Sequence, residues 1–474
     1  MTIHKDMPSS INEASSTEGD KVFLETTRSI CPVCRSDIDA GLYIASHRVY
    51  LGKRCPTHGY FEALVWSDAD MYLEALRYNK PGMKPLEFGS QVKEGCPHDC
   101  GICPEHQQHT CLGIIEITGR CNLRCPTCFA GEEHGAMLSL KQVEDILDNF
   151  LRREAQPEVV QISGGEPTVH PDIIPILRLA KSRSIKYVML NTNGLRIARD
   201  QEFVAQLADV RPVVYLQFDA LSEQPYRVLR GVNGLLGDKL QALDHLAQAE
   251  IDVVLVATIV KGVNDHEIGA ITELGVEHPA VRGVCFQPAA YVGRHLPFLP
   301  LERTTLPDVI RAVEEQTQGI FLTEDFIPVP CPYPTCSATT YAYIKGEKVT
   351  PLPRILNVDD YLGYFTNRAV PDLSPEVKTA LEGLWSASAV AGSDRMAVNC
   401  SICGVDAAID VSSLEKNVFM VTVHGLMDAY TFDLKRAKKC CVHELLPDGR
   451  MIPFCVYNNI GYRERTARLA EDRL

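Results

Sequence analysis

The stretch that decides the fold is Cys121-Asn-Leu-Arg-Cys125-Pro-Thr-Cys128-Phe129, which directly follows a mostly apolar run at 112–118. Three thiolates at these spacings can bind three of the four irons of a [4Fe–4S] cluster. The fourth iron then has no protein ligand and stays open to another molecule. In a structural metal site the protein fills every position, and a structural zinc site is the alternative for an isolated motif of this kind.

Two further motifs favour the cluster over zinc. Ser163-Gly164-Gly165-Glu166-Pro167 follows the second predicted strand. Its glycines allow the backbone to approach a ligand closely, and Glu166 can accept a charge-assisted hydrogen bond from an ammonium group. Asn193 and Asp219 follow the third and fourth predicted strands. A plain turn at Asn193 and a helix cap at Asp219 are the alternatives.

Strand and helix patterns alternate between residues 112 and 300. The predicted strands are 112–118, 159–162, 187–190, 213–218, 253–259 and 284–287. Ser139 and Gln142 have the spacing of a capping box that opens the first helix. Predicted helices at 171–182, 200–209, 236–249 and 266–275 follow. Such alternation implies parallel strands with right-handed crossovers, so we predict an α/β fold, a partial (β/α)6 barrel whose site lies at the C-terminal strand ends.

The rest of the chain is expected to form flanking modules. We predict a disordered tail at 1–28, a zinc-ribbon or rubredoxin-like domain at 29–92 and an auxiliary cluster segment at 93–111. The barrel is predicted to occupy 112–300, and a C-terminal auxiliary-cluster domain 301–474.

The composition restricts partners and location. The 474-residue chain carries a net charge of −14 and is 45% hydrophobic, so we expect no nucleic-acid partner. No apolar run is long enough for a membrane span or a signal peptide, which predicts a cytoplasmic protein. Because thiols stay reduced there, the eighteen cysteines are expected to bind metal.

Two cysteine groups precede the barrel. Cys31, Cys34, Cys55 and His58 have the pattern of a tetrahedral knuckle for zinc or a single iron, with structural support favoured over electron transfer. A second group lies within 96–111. We expect it to bind an auxiliary [4Fe–4S] cluster, with structural zinc as the alternative; its members are Cys96, Cys100, Cys103 and Cys111.

A third group follows the barrel. A further [4Fe–4S] cluster can draw on Cys331, Cys336, Cys440 or Cys441, and Cys455, and the spacing does not choose between the adjacent pair. Cys400 and Cys403 are expected either to bind a separate metal or to pack. Cys285 lies in an apolar strand and is expected to be a core residue.

The cysteine loop, the Gly-Gly-Glu-Pro motif and the barrel order resemble the radical S-adenosylmethionine (SAM) superfamily. The resemblance implies that Cys121, Cys125 and Cys128 hold the catalytic cluster, whose electron cleaves SAM to a 5′-deoxyadenosyl radical that activates a C–H bond. It further implies SAM-binding roles, which fall on Phe129, Gly164, Gly165, Glu166, Asn193 and Asp219.

The whole layout, including the tail around Cys440 and Cys455, resembles the archaeal tetraether lipid synthase group, also described as radical SAM methyltransferases acting on a dihydropterin. The resemblance implies carbon–carbon bond formation on lipid alkyl chains, one or two auxiliary [4Fe–4S] clusters, an electron donor such as ferredoxin or flavodoxin, and peripheral membrane contact. Methylation of a pterin-like small molecule is the alternative function. A non-catalytic iron–sulfur or zinc protein is the third hypothesis.

Overall fold

The computed structural model describes residues 21–131, 137–154, 157–354 and 417–471. An N-terminal antiparallel sheet has the order β1-β2-β3-β4, with β1 at Val22–Ile30, β2 at Asp37–Ala45, β3 at Arg48–Cys55 and β4 at Gly59–Trp66. The helix α1, Ala69–Leu76, follows it and is capped by Asp68, which accepts from the Met71 amide at 2.8 Å.

The prediction of a tail that extends to residue 28 is wrong for 22–28. Strand β1 begins at Val22 and pairs with β2 from Val22 opposite Ile44 to Ile30 opposite Asp37. The backbone groups of this segment form hydrogen bonds with β2, and its polar side chains lie on a strand that is partly exposed. The polar composition of the segment therefore does not prevent it from forming a strand. The ribbon domain therefore begins before residue 29.

The second sheet is built from β5, Leu112–Glu116, to β16, Met451–Pro453. Its other strands are β6 Val159–Ser163, β7 Tyr187–Thr192, β8 Val213–Gln217, β9 Val253–Ile259, β10 Val281–Pro288, β11 Ile327–Pro328, β12 Ser337–Lys345, β13 Lys348–Pro351, β14 Val418–His424 and β15 Val442–Leu445. The strand order is β11-β12-β14-β10-β9-β8-β7-β6-β5-β15-β16, and β13 pairs with β12.

Helices connect the strands from β5 to β10. They are α2 Leu140–Arg153, α3 Ile173–Ser182, α4 Leu195–Arg199, α5 Gln201–Val210, α6 Glu223–Arg230, α7 Leu235–Gln248 and α8 Ile268–Glu277. Later helices are α9 Leu306–Gln316, α10 Leu434–Lys438, α11 Phe454–Asn459 and α12 Tyr462–Glu471. Short 3₁₀ turns lie at Pro167–Val169, Asp265–Glu267, Thr323–Asp325, Pro334–Cys336 and Leu352–Arg354.

The predicted α/β barrel core is confirmed. Strands β5 to β10 pair in chain order and in parallel, so each helix makes a crossover on the outside of the sheet. The Ser139 capping box is present, and α2 turns Val143, Ile146 and Phe150 inward at helical spacing. The helix predicted at 171–182 begins two residues later than expected, at Ile173, because Pro171 and Asp172 lie in the turn before it.

The described residues after position 300 do not form the separate C-terminal domain that was predicted. Strand β14 pairs in parallel with β10, and β15 pairs in parallel with β5. The C-terminal strands therefore extend the barrel sheet at both of its edges, which removes exposed edges from the six-stranded core. Among the described residues no helix has both the length and the apolarity needed to cross a membrane.

Candidate functional site in the barrel

A cavity of about 410 Å³ fills the interior of the barrel, a size in the range of small-molecule sites of roughly 300–1,000 Å³. Alternate residues of the strands line it, because successive side chains point to opposite faces of a sheet. Polar members of this lining are Gln161, Ser163, Asn191, Gln217, Thr258, Gln287, Thr339, Thr422, His424, Glu116 and Glu444.

The cysteine loop lies at the C-terminal end of β5, and Cys121, Cys125 and Cys128 all line the cavity. Arg294 fixes the loop: it exchanges backbone hydrogen bonds with Cys128 and donates from Nε to the Cys125 carbonyl at 2.9 Å. Burial raises the pKa of the Cys121 thiol to about 12 and raises that of Cys125 as well. Thiols in such surroundings ionise when a metal binds them, so this set of three donors fits an iron–sulfur cluster.

The two glycines after β6, Gly164 and Gly165, allow the backbone there to pack closely against the segment that precedes the cysteine loop. A Cβ at Gly164 would lie 2.4 Å from the Thr118 carbonyl oxygen, and one at Gly165 would lie 2.4 Å from that of Arg120. Gly165 donates to Thr118 at 2.8 Å through its amide. The motif is therefore required for the segment before Cys121 to pack against the end of β6.

Glu166 is 1% exposed and holds two strand ends together. Its Oε1 accepts from the Thr168 amide at 3.1 Å and from the Thr192 hydroxyl at 2.7 Å, and its Oε2 accepts from the Asn193 amide at 2.7 Å. The side chain lines the cavity, but the sequence did not reveal this bracing role. Oε1 is occupied by protein donors, so Oε2 is the oxygen with capacity for a ligand.

Asn193 lines the cavity and donates from Nδ2 to Asn122 at 2.6 Å, which ties the end of β7 to the cysteine loop. Lys239 of α7, fully buried, donates to the Asn193 carbonyl and to Gln217 Oε1. Burial lowers its pKa to about 8. No sequence pattern indicated this lysine, since it lies on the inner face of a helix where an apolar residue is expected.

Asp219, a predicted SAM contact, is engaged by a protein partner. It is fully buried, does not line the cavity and forms a bidentate pair with Arg230, with both N–O distances at 2.7 Å. Arg230 does line the cavity and interacts with Cys125. The nearby carboxylate raises the pKa of Arg230, so the guanidinium stays charged beside the cysteine loop. Sequence reasoning missed Arg230 because no motif marks it.

Phe129 lines the cavity directly after the third cysteine. Its ring packs edge-on against Phe454 at 5.8 Å between centroids. The cysteine loop thus contacts α11, the helix that carries Cys455. Cys285 is buried and also lines the cavity, so it faces the cavity as well as packing in the core.

The N-terminal sheet brings the four predicted knuckle residues together. The ligand atoms of Cys31, Cys34, Cys55 and His58 all lie within 4.8 Å of one another. The Cys34 and Cys55 sulfurs are 3.9 Å apart. Two sulfur ligands on zinc, with bonds of about 2.3 Å, are expected roughly 3.8 Å apart in a tetrahedral site. The geometry therefore fits one tetrahedral ion.

The cysteine group at 96–111 is divided in the structure. Cys96 and Cys100 are in side-chain contact, and Cys103 lies near both, since it raises the pKa of Cys100 while Cys96 raises the pKa of Cys103. Cys111 does not belong to this set, contrary to the prediction. The Cys111 and Leu112 amides both donate to the Cys441 carbonyl, since the start of β5 lies beside the start of β15.

Cys111 instead forms a buried cluster with Cys331 and Cys441. His109 Nε2 lies 3.7 Å from Cys111 Sγ, and its Nδ1 lies 3.4 Å from Glu154. A carboxylate that orients a histidine in this way is typical of metal ligation. His109 is therefore a candidate for the remaining ligand position, one that the cysteine pattern did not indicate.

The predicted C-terminal set also divides. Cys331 belongs with Cys111 and Cys441, whereas Cys336, Cys440 and Cys455 influence one another electrostatically. Arg436 is buried beside them and donates from Nε to Cys336 Sγ at 3.2 Å. Cys441 contacts Cys111 and Cys331, but it is also influenced by Cys440 and Cys336, so the two sets lie side by side. Cys400 and Cys403 lie outside the described residues.

Two family descriptions match this chain. The radical SAM superfamily matches residues 115–275, which include the cysteine loop and most of the barrel. The HMPTM N-terminal zinc ribbon domain matches residues 23–67, which include all four knuckle residues.

Relatives extend these matches. A 7,8-dihydro-6-hydroxymethylpterin dimethyltransferase from Methanocaldococcus jannaschii is 34% identical over 480 residues, covering 92% of this chain and 94% of its own. A GTP 3′,8-cyclase from Geobacter sulfurreducens is 29% identical over 194 residues, 37% of this chain and 55% of its own. The crystal structure of Streptococcus suis SuiB bound to precursor peptide SuiA has a TM-score of 0.39 and 20% identity, covering 45% of this chain and 47% of that one.

Proposed function

Since this chain belongs to the radical SAM superfamily, we propose that it methylates a pterin-like small molecule. The superfamily implies an enzyme with a [4Fe–4S] cluster and SAM, so the hypothesis of a non-catalytic metal protein is wrong. The observation that carries the proposal is the 34% identity, over nearly the whole of both chains, to a protein named as a dihydropterin dimethyltransferase.

The cavity has the size of a small-molecule site, and polar side chains from many of its strands face it, among them Gln161, Gln287 and Thr422. The prediction of carbon–carbon bond formation on lipid chains, with peripheral membrane contact, has no comparable support from the relatives.

In the proposed site, Cys121, Cys125 and Cys128 would hold the cluster. Bound there, it supplies the electron that cleaves SAM to a 5′-deoxyadenosyl radical. Gly164 and Gly165 keep the cysteine loop against β6, and Glu166 Oε2, Asn193 and Phe129 are proposed to face SAM. Arg230 would offset the negative charge of the Cys125 thiolate.

The flanking metal sites are proposed to have a structural role in one case and an electron-transfer role in the others. Cys31, Cys34, Cys55 and His58 would bind zinc or a single iron and stabilise the N-terminal sheet. Two auxiliary [4Fe–4S] clusters would relay electrons from a donor of the ferredoxin or flavodoxin type. One cluster would draw on Cys96, Cys100 and Cys103. The other would draw on the buried group of Cys111, Cys331 and Cys441.

The experiment that tests the function uses the anaerobically reconstituted full chain with dithionite, 7,8-dihydro-6-hydroxymethylpterin and SAM carrying a deuterated methyl group. Mass spectrometry should show 5′-deoxyadenosine and methionine from SAM cleavage, S-adenosylhomocysteine from methyl transfer, and a pterin in which a methyl group replaces a hydrogen on carbon. A deuterated methyl in the product identifies SAM as the methyl source. Recovery of unchanged pterin while SAM is cleaved would contradict the pterin assignment but leave the radical chemistry intact.

A further inference from the structure

Glu444 is a buried carboxylate that the proposed chemistry leaves unused. It lies on β15, is 1% exposed and lines the cavity that also contains the cysteine loop. Its Oε1 is buried and has no hydrogen-bond partner. A buried carboxylate oxygen without a donor is costly, so its retention requires an explanation.

The nearest cation is already committed to another carboxylate. Arg463 of α12 donates to both oxygens of Glu116, at 2.7 Å each, and from Nε to Asn458 at 2.9 Å. Tyr457 also contacts Glu116, at 3.5 Å. Burial and the nearby Glu116 charge raise the pKa of Glu444 well above its ordinary value, although Arg463 acts in the opposite direction. Among the described residues Oε1 has no donor, and hydrogen-bond donors supplied by a ligand would stabilise the ionised carboxylate.

The surroundings indicate what kind of donor is missing. A metal cation is disfavoured because the Arg463 guanidinium, buried beside Glu116, already balances one of the two carboxylates. Two neighbouring N–H donors on a neutral heterocycle fit better, since a carboxylate accepts such a pair through its two oxygens. A pterin presents this pair: its 2-amino group lies next to a protonated ring nitrogen.

We propose that Glu444 recognises the substrate by accepting hydrogen bonds from the 2-amino group and the adjacent ring N–H of a 2-aminopyrimidinone. The inference rests on the proposed pterin-type substrate and specifies how that substrate is chosen. Glu116, held by Arg463, closes the same side of the cavity without competing for the substrate donors. Glu444 thus acts as a specificity residue and takes no part in the radical step.

The test measures binding without turnover, by equilibrium dialysis of the reconstituted, oxidised full chain with SAM present. Two probes are used: 7,8-dihydro-6-hydroxymethylpterin and its 2-oxo counterpart, a lumazine, which has an acceptor where the pterin has a donor. Wild-type protein should prefer the pterin. Glu444→Gln should weaken pterin binding roughly 10- to 100-fold, the usual cost of losing charged hydrogen bonds. It should also bind the lumazine better than wild type does, because an amide can donate to the 2-oxo group.

Glu267→Gln is the matched control, since Glu267 is another buried carboxylate, outside the cavity, that accepts from the Leu221 amide and the Ser222 hydroxyl. Its probe preference should match wild type. A Glu444→Gln protein that keeps wild-type iron content, pterin affinity and probe preference would overturn this inference alone. Wild-type protein that binds neither probe would overturn the inference and the pterin assignment together.

Discussion

At the scale of single residues, the three cysteines of the loop are not interchangeable with the other thiols. Cys125→Ala should abolish formation of 5′-deoxyadenosine from SAM, because two thiolates cannot hold the site-differentiated cluster. The measurement is product formation in reconstituted, dithionite-reduced protein, together with iron and zinc content. The knuckle and the auxiliary sites should keep their metals.

Cys285→Ala provides the comparison, since this thiol is buried in β10 and its pKa is raised by burial to about 11. It should retain both its iron content and its SAM cleavage. Wild-type cleavage by the Cys125→Ala protein would show that the catalytic cluster lies elsewhere.

The Asp219–Arg230 pair is the second case at this scale. Asp219→Ala leaves a largely buried guanidinium without its bidentate partner and removes an acceptor from the Thr258 amide. We expect a loss of about 3–5 kcal/mol in the free energy of unfolding. Denaturant titration of the apoprotein measures it. A change below about 0.5 kcal/mol, typical of exposed positions, would show that the pair is unimportant for stability.

At the scale of elements, the packing between the end of β6 and the segment before Cys121 depends on glycine. Gly165→Ala places a methyl group 2.4 Å from the Arg120 carbonyl oxygen, and backbone there cannot move without moving the cysteine loop. We expect a destabilisation of about 1–3 kcal/mol and reduced iron uptake at the catalytic site. Iron analysis and thermal unfolding measure both effects.

Gly237→Ala is the matched substitution, because a Cβ at this position in α7 meets nothing within 4 Å. It should be neutral or stabilise the protein by up to about 1 kcal/mol through helix propensity. Equal behaviour of the two alanine variants would contradict the packing role assigned to Gly165.

The N-terminal sheet gives the other prediction at this scale. His58→Ala removes one of four ligands, so the protein should lose its knuckle metal and the sheet should become sensitive to proteolysis. His58→Cys should retain the metal, since four thiolates form an equally good tetrahedral site. Metal analysis distinguishes the two. Full metal content in the alanine variant would show that His58 is not a ligand.

At the scale of the whole molecule, strand pairing determines which cysteines lie close enough to share a metal site. Cys111→Ala and Cys441→Ala should each remove the same cluster of about four irons, and the double variant should lose no more than either alone. The variant that combines Cys111→Ala with Cys103→Ala should lose about twice as much iron, because it removes a ligand from each of two clusters. Iron and sulfide counts measure this. Additive losses for Cys111 and Cys441 would contradict the buried set with Cys331.

Local patterns were sufficient for the barrel and its loop. Apolar runs predicted the strands from β5 to β10, and short-range spacing predicted both the cysteine loop and the four-residue knuckle. Each of these rests on residues close together in the chain or on a periodicity of one element. The order of such elements restricts a parallel α/β sheet to few topologies.

The amino-acid sequence alone therefore determined the chemistry of the loop, the parallel core and the knuckle. Only the tertiary structure decided that Cys111 meets Cys441, that Asp219 serves Arg230, and that Glu444 faces the cavity. The reason is physical: β15 pairs with β5 although more than 300 residues separate them in the chain. Contacts of this kind depend on how the sheet closes and on which side of a strand each residue points, and spacing along the chain carries no record of either.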